Sequence, residues 1–328
     1  MIAAIADASQ VAAARRQIGS YARRIGVSEQ RGAQVALAVT ELATNLLKHG
    51  GGGVMLAGPF DDQDGAGLEL LALDKGAGMP DVERCLRDGY STAGSMGSGL
   101  GAVVRQADQV RIYSWPDKGT AVMARFVTRH SQGPPHALIG AAVATMAGET
   151  ACGDDWAFAD APAGLTLLAV DGTGHGTEAA RAAEIATHSF GSNAQLECTQ
   201  IIEHIHRALM PTRGAAIAVA RIDRAARVVR YVGVGNISGV VVSGGRARHM
   251  VSHHGTAGHT APRIREFVYE FTGAPLLILH SDGVTTKWDL ADYPGLVAQH
   301  PSLIAGVLLR DCQRGRDDAS VVVLRAMP

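Results

Sequence analysis

The sequence predicts an α+β protein of two domains, in which helices and antiparallel sheets form separate layers. Its 328 residues exceed the usual size of one domain, roughly 150 residues. Apolar residues make up 47% of the chain and charged residues 19%, which is enough apolar material for real cores. The polar stretch 129–136 contains a Pro pair and separates two segments of unlike pattern, so it is the predicted linker.

In the first domain, apolar residues at helical spacing predict a helix near residues 11–25, with Ser9 as its N-cap. A second helix is predicted to begin at Ser28 and to stop at the glycines 50–53. The acidic stretch 61–67 is predicted as a loop. Short strands are predicted at 54–57, 68–73, 109–114 and 120–127. Helices packed on an antiparallel sheet follow from this order.

The second domain is predicted to consist mostly of strands. These are expected at 137–146, 165–170, 215–222, 227–232, 237–242, 276–280 and 319–324. Helical patterns cover 177–190, 195–209 and 303–313. A large sheet system covered by helices is the natural packing of such elements.

Charge and cysteine content exclude several classes of protein. Thirty Lys and Arg residues oppose 31 Asp and Glu residues, which argues against a nucleic-acid partner bound through bulk positive charge. No apolar run approaches the ~20 residues needed to cross a bilayer, and a secretory leader pattern is lacking. The four cysteines form no C-x-x-C pair, so neither disulfides nor a cysteine zinc site is expected. We therefore expect a cytoplasmic protein without a membrane partner.

Two polar residues of the second predicted helix are the first candidates for chemistry. Glu41 and Asn45 are four residues apart, so their side chains lie on one helix face, one turn from each other. A carboxylate there can orient a nucleophile, and an amide oxygen can bind Mg²⁺. The alternative explanation is an ordinary pair of solvated side chains.

Two glycine-containing segments of the first domain are candidates for nucleotide binding. Asp74 directly follows the apolar strand 68–73, where a carboxylate can accept a hydrogen bond from an exocyclic amine such as that of adenine. The segment 89–101 is a glycine-rich loop that leads into a helical pattern, which presents backbone N–H groups to phosphates. It is not a Walker loop, because no Gly-Lys-Ser/Thr follows.

In this order and spacing, the three segments resemble the N, G1 and G2 boxes of the Bergerat (GHKL) ATP-binding fold shared by gyrase, histidine kinases and MutL. The likeness covers residues 1–128 and is strongest to the serine kinases of bacterial partner-switching systems, the anti-sigma-factor kinases and the stressosome kinase. It implies a general base at Glu41, a Mg²⁺ ligand at Asn45 and an adenine contact at Asp74. The glycines expected to contact the phosphates and form the lid are Gly76, Gly78, Gly97, Gly99 and Gly101.

Aspartates of the second domain suggest a metal centre. Two of them, Asp171 and Asp282, follow apolar strands, and both stand before a glycine. Oxygen ligands without His or Cys favour Mg²⁺ or Mn²⁺ over zinc. Converging acids can hold two cations and a bridging water that attacks phosphorus. The four candidates are Asp154, Asp171, Asp282 and Asp317.

The order of these motifs resembles the SpoIIE-type phosphatases, the bacterial branch of the metal-dependent (PPM) serine/threonine protein phosphatases, over residues 137–328. The resemblance implies an αββα sandwich. It also implies that Asp171 bridges both metals and that the carbonyl of Gly172 binds metal. Asp154 would bind one metal, while Asp282 and Asp317 would hold the other.

Several assignments in this domain stay open. Asp155 could replace Asp154 and Asp318 could replace Asp317, although motif register favours the first of each pair. His175 lies in a second glycine-containing loop, residues 172–176, directly after Asp171. It is interpreted as a structural hydrogen-bonding residue, with proton donation as the alternative. The remaining candidates, His253, His254, His259 and Cys152, are interpreted as loop or packing residues.

Together the two resemblances imply opposed activities in one chain, an ATP-dependent serine kinase and a metal-dependent phosphatase. In related systems the substrate is a small STAS-domain protein, so we expect a bifunctional enzyme of stress or sigma-factor signalling. The expected cofactors are ATP with Mg²⁺ in the first domain and two Mn²⁺ or Mg²⁺ in the second. A sigma factor or another switch partner is a possible further ligand. The alternative is a phosphatase whose first domain only docks such a partner; a gyrase-like or MutL-like ATPase is disfavoured because no transducer domain follows the pocket.

Overall fold

A computed structural model describes residues 1–62, 65–82, 99–130, 136–259 and 264–327. These residues form two compact units. The first contains the described residues up to 130 together with Asp289–Arg310, and the second contains the rest. The division differs from the predicted one, because residues 289–310 had been assigned to the second domain. Among the described helices, none combines the length and apolar character needed to cross a bilayer.

The first unit contains one five-stranded antiparallel sheet with helices against it. Its elements up to residue 130 are β1 (Ile2–Ile5), α1 (Ala8–Arg24), α2 (Glu29–Gly50), β2 (Gly53–Asp62), β3 (Gly65–Leu73), α3 (Gly99–Gln106), β4 (Gln109–Ser114) and β5 (Thr120–Arg129). The strand order is β1-β2-β3-β5-β4. The predicted helices and strands are present, and β1 is an additional edge strand.

Side-chain caps decide where the first two helices begin. The predicted N-cap Ser9 is wrong, because Asp7 precedes α1 and its carboxylate accepts hydrogen bonds from the N–H groups of Ser9 and Gln10. The start of α2 is as predicted, since the hydroxyl of Ser28 accepts a hydrogen bond from the N–H of Arg31. This helix ends at Gly51, whose φ of 68° is in the left-handed region.

The predicted loop 61–67 is wrong for the residues that the structure describes. Strand β2 continues to Asp62 and pairs with Gly65 at the start of β3. The two strands therefore form one long hairpin. Acidic residues and glycines resemble a loop in sequence, but here the backbone pairing of the hairpin holds them in strands.

Helix α6 (Pro301–Cys312) packs on the sheet face opposite to α1 and α2 through its residues 301–310. Strand β3 is apolar on both faces, and its Leu71 and Leu73 are almost completely buried. A Cβ on Gly306 would lie 2.9 Å from a methyl group of Leu73. Because both faces of β3 are buried, its sequence is a continuous apolar run and does not alternate between apolar and polar residues.

A buried charged cluster joins α6 to the sheet within this unit. The Arg125 guanidinium donates hydrogen bonds to Glu69 at 2.7 Å and to Asp62 at 2.9 Å. The Ser302 hydroxyl donates to the same Glu69 carboxylate at 2.8 Å. Arg125 also lies over the ring of Phe60, at 4.3 Å from its centroid. Each buried charge thus has a partner, as burial in an apolar core requires.

The second unit is a sandwich of two five-stranded antiparallel sheets. Its strands are β6 (Ala137–Ala144), β7 (Asp154–Ala161), β8 (Gly164–Gly172), β9 (Ala215–Asp223), β10 (Val228–Val234), β11 (Ser238–Ser243), β12 (Arg246–Met250), β13 (Phe267–Glu270), β14 (Leu276–His280) and β15 (Ala319–Ala326). One sheet has the order β13-β10-β9-β8-β7 and the other β12-β11-β14-β15-β6. The predicted α+β class is confirmed, and the predicted sandwich of two sheets is present in this unit.

Two helices cover the outer face of the β13-β10-β9-β8-β7 sheet. They are α4 (Thr177–Asn193) and α5 (Cys198–Leu209), and their apolar residues share a core with β8 and β9. A second core lies between the two sheets. The predicted strands and the first two predicted helices are found here, the third predicted helix is α6 of the first unit, and β7, β12 and β13 are additional strands. In β12, Arg246 and His249 are exposed, so this edge strand lacks the apolar alternation that marks a strand in sequence.

Candidate functional sites

The first candidate site begins with the face of α2 that carries Glu41 and Asn45. The N-terminus of α3 lies directly against this face: a Cβ on Gly99 would stand 3.0 Å from Oε2 of Glu41 and 3.5 Å from Oδ1 of Asn45. The fold thus brings two predicted motifs together. A helix N-terminus beside a carboxylate and an amide oxygen offers N–H donors to a phosphate group and oxygen ligands to its Mg²⁺ ion.

Asp74 lies at the end of β3, next to the C-terminal end of α2. Its carboxylate accepts hydrogen bonds from the N–H of Gly76 at 2.9 Å and from the N–H of Thr120 at 3.2 Å. Burial raises the pKa of Asp74, while these two N–H groups, Arg310 and His49 oppose the rise. The carboxylate is therefore held in a fixed orientation in a partly desolvated position, as a specific contact to a ligand amine requires.

Close backbone packing explains two of the predicted glycines. A Cβ on Gly76 would lie 2.4 Å from the carbonyl oxygen of His49. Gly78 has a φ of 72°, and a Cβ there would lie 2.2 Å from the carbonyl oxygen of Trp115. A side chain at either position would clash with the carbonyl oxygen of His49 or of Trp115, so the loop after β3 would have to move away from these segments.

Sequence reasoning missed one residue of this site. Arg310, near the C-terminal end of α6, donates a hydrogen bond to the carbonyl oxygen of Asp74 at 2.7 Å. The two residues are 236 positions apart in the sequence, so no local pattern connects them. Of the other predicted residues, Gly101 is buried within α3, whereas Gly97 and most of the glycine loop 89–101 lie outside the described residues.

The second candidate site is an acidic cluster in the second unit. Asp154 and Asp171 are direct partners on the antiparallel strands β7 and β8. The pKa of Asp171 is raised to about 8, first by burial and then by the charges of four other aspartates: Asp154, Asp282, Asp317 and Asp318. The fold therefore places the other three predicted aspartates within electrostatic reach of Asp171.

Asp154 is the most deeply buried of the predicted ligands. Burial raises its pKa to about 7, against the effect of hydroxyl hydrogen bonds from Ser281 and Ser320. Its Oδ2 atom is buried without a hydrogen-bond partner among the described residues. A buried acceptor surrounded by like charges is unfavourable by itself and becomes favourable beside a cation.

The structure distinguishes the two pairs of adjacent aspartates. Asp155 accepts hydrogen bonds from the N–H of Trp156 at 2.8 Å and from the Thr187 hydroxyl on α4 at 3.3 Å, so its carboxylate lies on the helix side of the sheet. Both oxygens of Asp318 accept backbone N–H bonds, from Met146 at 2.7 Å and Gly153 at 2.6 Å. Successive side chains of a strand point to opposite faces of the sheet, so Asp154 and Asp155 of β7 lie on opposite faces.

The remaining predicted ligands lie on loops at the edge of this cluster. Asp282 accepts a hydrogen bond from the amide of Asn236 at 2.7 Å. Asp317 accepts one from the N–H of Asp318 at 2.9 Å. Gly172 packs so tightly against α4 that a Cβ would lie 2.2 Å from the carbonyl oxygen of Ala179.

Divalent cations fit this set of residues. The donors are all oxygens, which Mg²⁺ and Mn²⁺ prefer, and Oδ2 of Asp154 is a buried acceptor in need of a partner. Across the described ranges, no three His, Cys, Asp or Glu side chains are already arranged as a group that could hold a metal ion. The structure therefore shows acids that influence one another electrostatically, and the described side chains are not yet arranged as a coordination shell.

Two further side chains flank the glycine loop after Asp171. Nδ1 of His175 lies 2.6 Å from Oε1 of Glu149, so the hydrogen-bonding interpretation of His175 has a specific partner. Nη1 of Arg213 lies 3.5 Å from the position of a Cβ on Gly174. Neither Glu149 nor Arg213 was predicted, because both come from segments distant in the sequence.

The other histidines and Cys152 do not form a second centre among the described residues. Burial, and then the charge of Asp154, raises the pKa of the Cys152 thiol to about 12. This thiol therefore stays protonated at neutral pH and is unsuited to nucleophilic chemistry. His253 lies beside the ring of Phe267, with 5.5 Å between the ring centroids, as a packing residue would.

Comparison with known proteins relates each unit to a family. Residues 4–126 match the family of histidine kinase-like ATPase domains. The chain is similar to the serine/threonine-protein kinase RsbT of Bacillus subtilis (strain 168), with 34% identity over 112 residues. This alignment covers 34% of the chain and 84% of that kinase.

Residues 161–327 match the family of stage II sporulation protein E (SpoIIE). A structure of the bacterial stressosome, described as a modular system adapted to control secondary messenger signalling, shares 30% identity at a TM-score of 0.54, over 58% of this chain and 99% of that chain. A crystal structure of RsbX in complex with magnesium shares the fold, with 18% identity and a TM-score of 0.52 over 60% of this chain and 98% of that one. Through residues 161–327 the chain belongs to the SpoIIE phosphatase family, and residues 4–126 add a histidine kinase-like ATPase domain related to RsbT.

Proposed function

We propose that this chain is a bifunctional partner-switching enzyme. It transfers the γ-phosphoryl group of ATP to a serine or threonine of a STAS-domain protein and hydrolyses the same kind of phosphate ester. The observation that carries this proposal is the presence of two separate sets of polar groups, Glu41 and Asn45 against Gly99 in one unit and the aspartate cluster around Asp171 in the other. Similarity to the kinase RsbT and to a stressosome structure supports a substrate of the partner-switching type.

The first site, in residues 1–128, would hold ATP with Mg²⁺. Asp74 would accept a hydrogen bond from the adenine amine, because two backbone N–H groups fix its carboxylate at the end of β3. Asn45 supplies an oxygen to Mg²⁺, and Glu41 accepts the proton of the attacking hydroxyl. The backbone at Gly99 contacts the phosphates. Oε2 of Glu41 and Oδ1 of Asn45 would lie 3.0 and 3.5 Å from a Cβ on Gly99, and this closeness favours phosphoryl transfer over simple docking of a partner.

The second site, in residues 137–328, would hold two Mn²⁺ or Mg²⁺. When bound, these cations supply Lewis-acid and water-activating chemistry. Asp171, which feels the charges of all the other acids, would hold both cations, while Asp154 would hold one of them and Asp282 and Asp317 the other. The carbonyl of Gly172 completes the set. Arg213, beside the glycine loop, supplies a guanidinium to the substrate phosphate.

A phosphate group changes which partner a STAS-domain protein binds. It adds about -1.5 to -2 charges at neutral pH, which disrupts an apolar interface by repulsion and desolvation. Two opposed activities in one chain would set the fraction of phosphorylated substrate, and with it the release of a sigma factor or another switch partner.

The proposal is tested with the full chain and STAS-domain proteins encoded near it. With radiolabelled ATP and Mg²⁺, the wild-type chain should label a serine or threonine of one such protein; with Mn²⁺ it should release phosphate from the labelled product. Loss of the second activity in EDTA is expected. Equal phosphate release in EDTA would contradict the metal mechanism, and failure to label any such protein would contradict the kinase activity.

We expect Arg310→Ala to weaken ATP binding about 3- to 10-fold, because the carbonyl of Asp74 loses a hydrogen-bond donor worth about 1 kcal/mol. Titration with a fluorescent ATP analogue measures the change. Arg310→Lys should recover part of the affinity. Arg16→Ala, which removes an exposed arginine of α1, is the matched control and should bind as the wild type does. Unchanged affinity of Arg310→Ala would show that α6 does not support the nucleotide site.

We expect the metal-free protein to lose stability as the pH rises from about 5 to about 8.5. The folded-state pKa values of Asp154 (about 7) and Asp171 (about 8) exceed the ordinary value of 3.8, so the folded state binds more protons in this range. Stability from these protons is present at low pH and is lost as the pH passes the folded pKa values. Mn²⁺ should therefore raise the Tm more at high pH than at low pH.

Thermal unfolding at several pH values, with and without Mn²⁺, measures this effect. The Asp171→Asn variant should show a flatter pH dependence, because one of the repelling charges is gone. Glu203→Gln, at an exposed position of α5, is the control and should keep the wild-type slope. An unchanged slope in Asp171→Asn would contradict the electrostatic origin of the effect.

A further inference from the structure

One carboxylate of the second unit holds both ends of the loop that leads to Asp154. Oδ1 of Asp318 accepts a hydrogen bond from the N–H of Met146 at 2.7 Å, and its Oδ2 accepts one from the N–H of Gly153 at 2.6 Å. Met146 follows the end of β6 by two residues, and Gly153 directly precedes Asp154, the first residue of β7. The loop 146–153 is thus closed by a side chain that lies 172 and 165 positions from these two residues in sequence.

Burial makes these two hydrogen bonds specific. Asp318 is only 3% exposed, so water does not compete for its oxygens. A hydrogen bond from a backbone N–H to an ionised carboxylate is charge-assisted and stronger than a neutral one. An amide at this position would have only one acceptor oxygen, and one of the two N–H groups would then lose its partner.

The same contact extends to the end of β8. The carbonyl of Gly153 accepts a hydrogen bond from the N–H of Gly172 at 2.9 Å. A Cβ on Gly153 would lie 3.1 Å from Oδ2 of Asp318 and 2.8 Å from the Cβ of Ala179, so only a glycine lets these segments meet. Since Asp154 follows Gly153 and the carbonyl of Gly172 is a proposed ligand, Asp318 fixes the backbone that carries two of the proposed ligands.

The adjacent Asp317 has a different environment. Its carboxylate accepts a hydrogen bond from the backbone N–H of Asp318 at 2.9 Å, a contact in which the Asp318 side chain takes no part. Both carboxylate oxygens of Asp318 already have backbone partners, whereas Oδ2 of Asp154 is buried without one among the described residues. This division favours Asp317 as a ligand and Asp318 as the support of other ligands.

We infer that Asp318 is a positioning residue that shapes the metal centre before a cation binds. The inference rests on the proposed phosphatase function, because the proposed metal centre is what Asp318 serves. A loop that is already ordered pays less conformational entropy when its ligands are used, so Mn²⁺ binds more tightly. Residues that orient metal ligands commonly change metal affinity by about 10- to 100-fold when they are replaced.

Hydrogen exchange in the metal-free wild-type chain tests this role without a variant or any activity. The amide protons of Met146 and Gly153 should exchange at least about 10²-fold more slowly than that of Gly148, which is exposed in the same loop. Adding Mn²⁺ should leave this protection unchanged. If the protection is absent, or appears only with Mn²⁺, the cation and not Asp318 orders the loop, and the inference is wrong.

A second test uses Asp318→Asn in the full chain. In calorimetric titration its affinity for Mn²⁺ should be about 10- to 100-fold lower, while saturating Mn²⁺ should restore kcat for p-nitrophenyl phosphate to within about threefold of the wild-type value. The amides of loop 146–153 should exchange faster. The matched control is Asp223→Asn, which alters a carboxylate that accepts the N–H of Ala226 at 2.8 Å at the end of β9. It should change neither the affinity nor the exchange.

The possible results separate this inference from the proposed function. If the wild-type chain binds no Mn²⁺, the proposed metal centre fails and the inference fails with it. If the wild-type chain binds Mn²⁺ and Asp318→Asn binds it equally well, the centre stands and the positioning role is wrong. If affinity falls while the exchange of loop 146–153 is unchanged, Asp318 acts through its charge and not by positioning. A loss of kcat that saturating Mn²⁺ does not restore would make Asp318 a ligand itself and would also overturn the inference.

Discussion

Replacing Asp171 with Asn should reduce metal-dependent phosphoserine hydrolysis by about 10³-fold or more while the fold is retained. Burial and the charges of four neighbouring aspartates raise the pKa of Asp171, and the proposed centre gives this carboxylate to both cations. Asparagine has nearly the same shape but lacks the charge, so cation binding is lost without a cavity. Phosphate release and calorimetric titration with Mn²⁺ measure the two effects, and circular dichroism verifies the fold.

The neighbouring pair provides a control within the same strand. Asp154→Asn should lose activity to a similar degree, because its carboxylate lies on the same face as Asp171. Asp155→Asn should keep activity within about threefold, because its carboxylate is bound to Trp156 and Thr187 on the other face. If only Asp155→Asn lost activity, Asp155 and not Asp154 would be the metal ligand. Full activity of Asp171→Asn would refute the proposed centre.

Replacing Glu41 with Gln should reduce phosphoryl transfer from ATP by about 10²- to 10⁴-fold and change ATP binding by no more than a few-fold. Glutamine keeps the size and polarity of the side chain beside Gly99 but cannot accept the proton of the attacking hydroxyl. Transfer of label to the STAS-domain protein is best measured in the Asp171→Asn background, where the product is not hydrolysed.

The matched control for this variant is Glu29→Gln, in the first turn of the same helix, which should transfer label normally. If Glu41→Gln transfers label at the wild-type rate, the base is another group. If the wild-type chain and its Asp171→Asn variant both bind ATP but neither labels a STAS-domain protein, the first unit is a docking module and not a kinase.

Local patterns predicted the elements of this fold well wherever the relevant interactions are also local. The cap of α2 at Ser28 and the left-handed end at Gly51 depend on residues only a few positions away. The cap of α1 was misplaced by two residues, because Asp7 and Ser9 are both good caps and only the backbone path decides between them. Strand β12 was missed because its exposed residues are polar, although pairing with β11 stabilises it.

The α+β class could be predicted from the sequence, and candidate motif residues could be named, because helical spacing, strand runs and motif order all lie in consecutive positions. Three other findings required the folded chain: Asp154 and not Asp155 shares a face with Asp171, residues 301–310 of α6 belong to the first unit, and Glu149 contacts His175. These outcomes depend on contacts between residues far apart along the chain. Such contacts form when buried faces pack and buried charges find partners, and no short window of sequence contains both members of the pair.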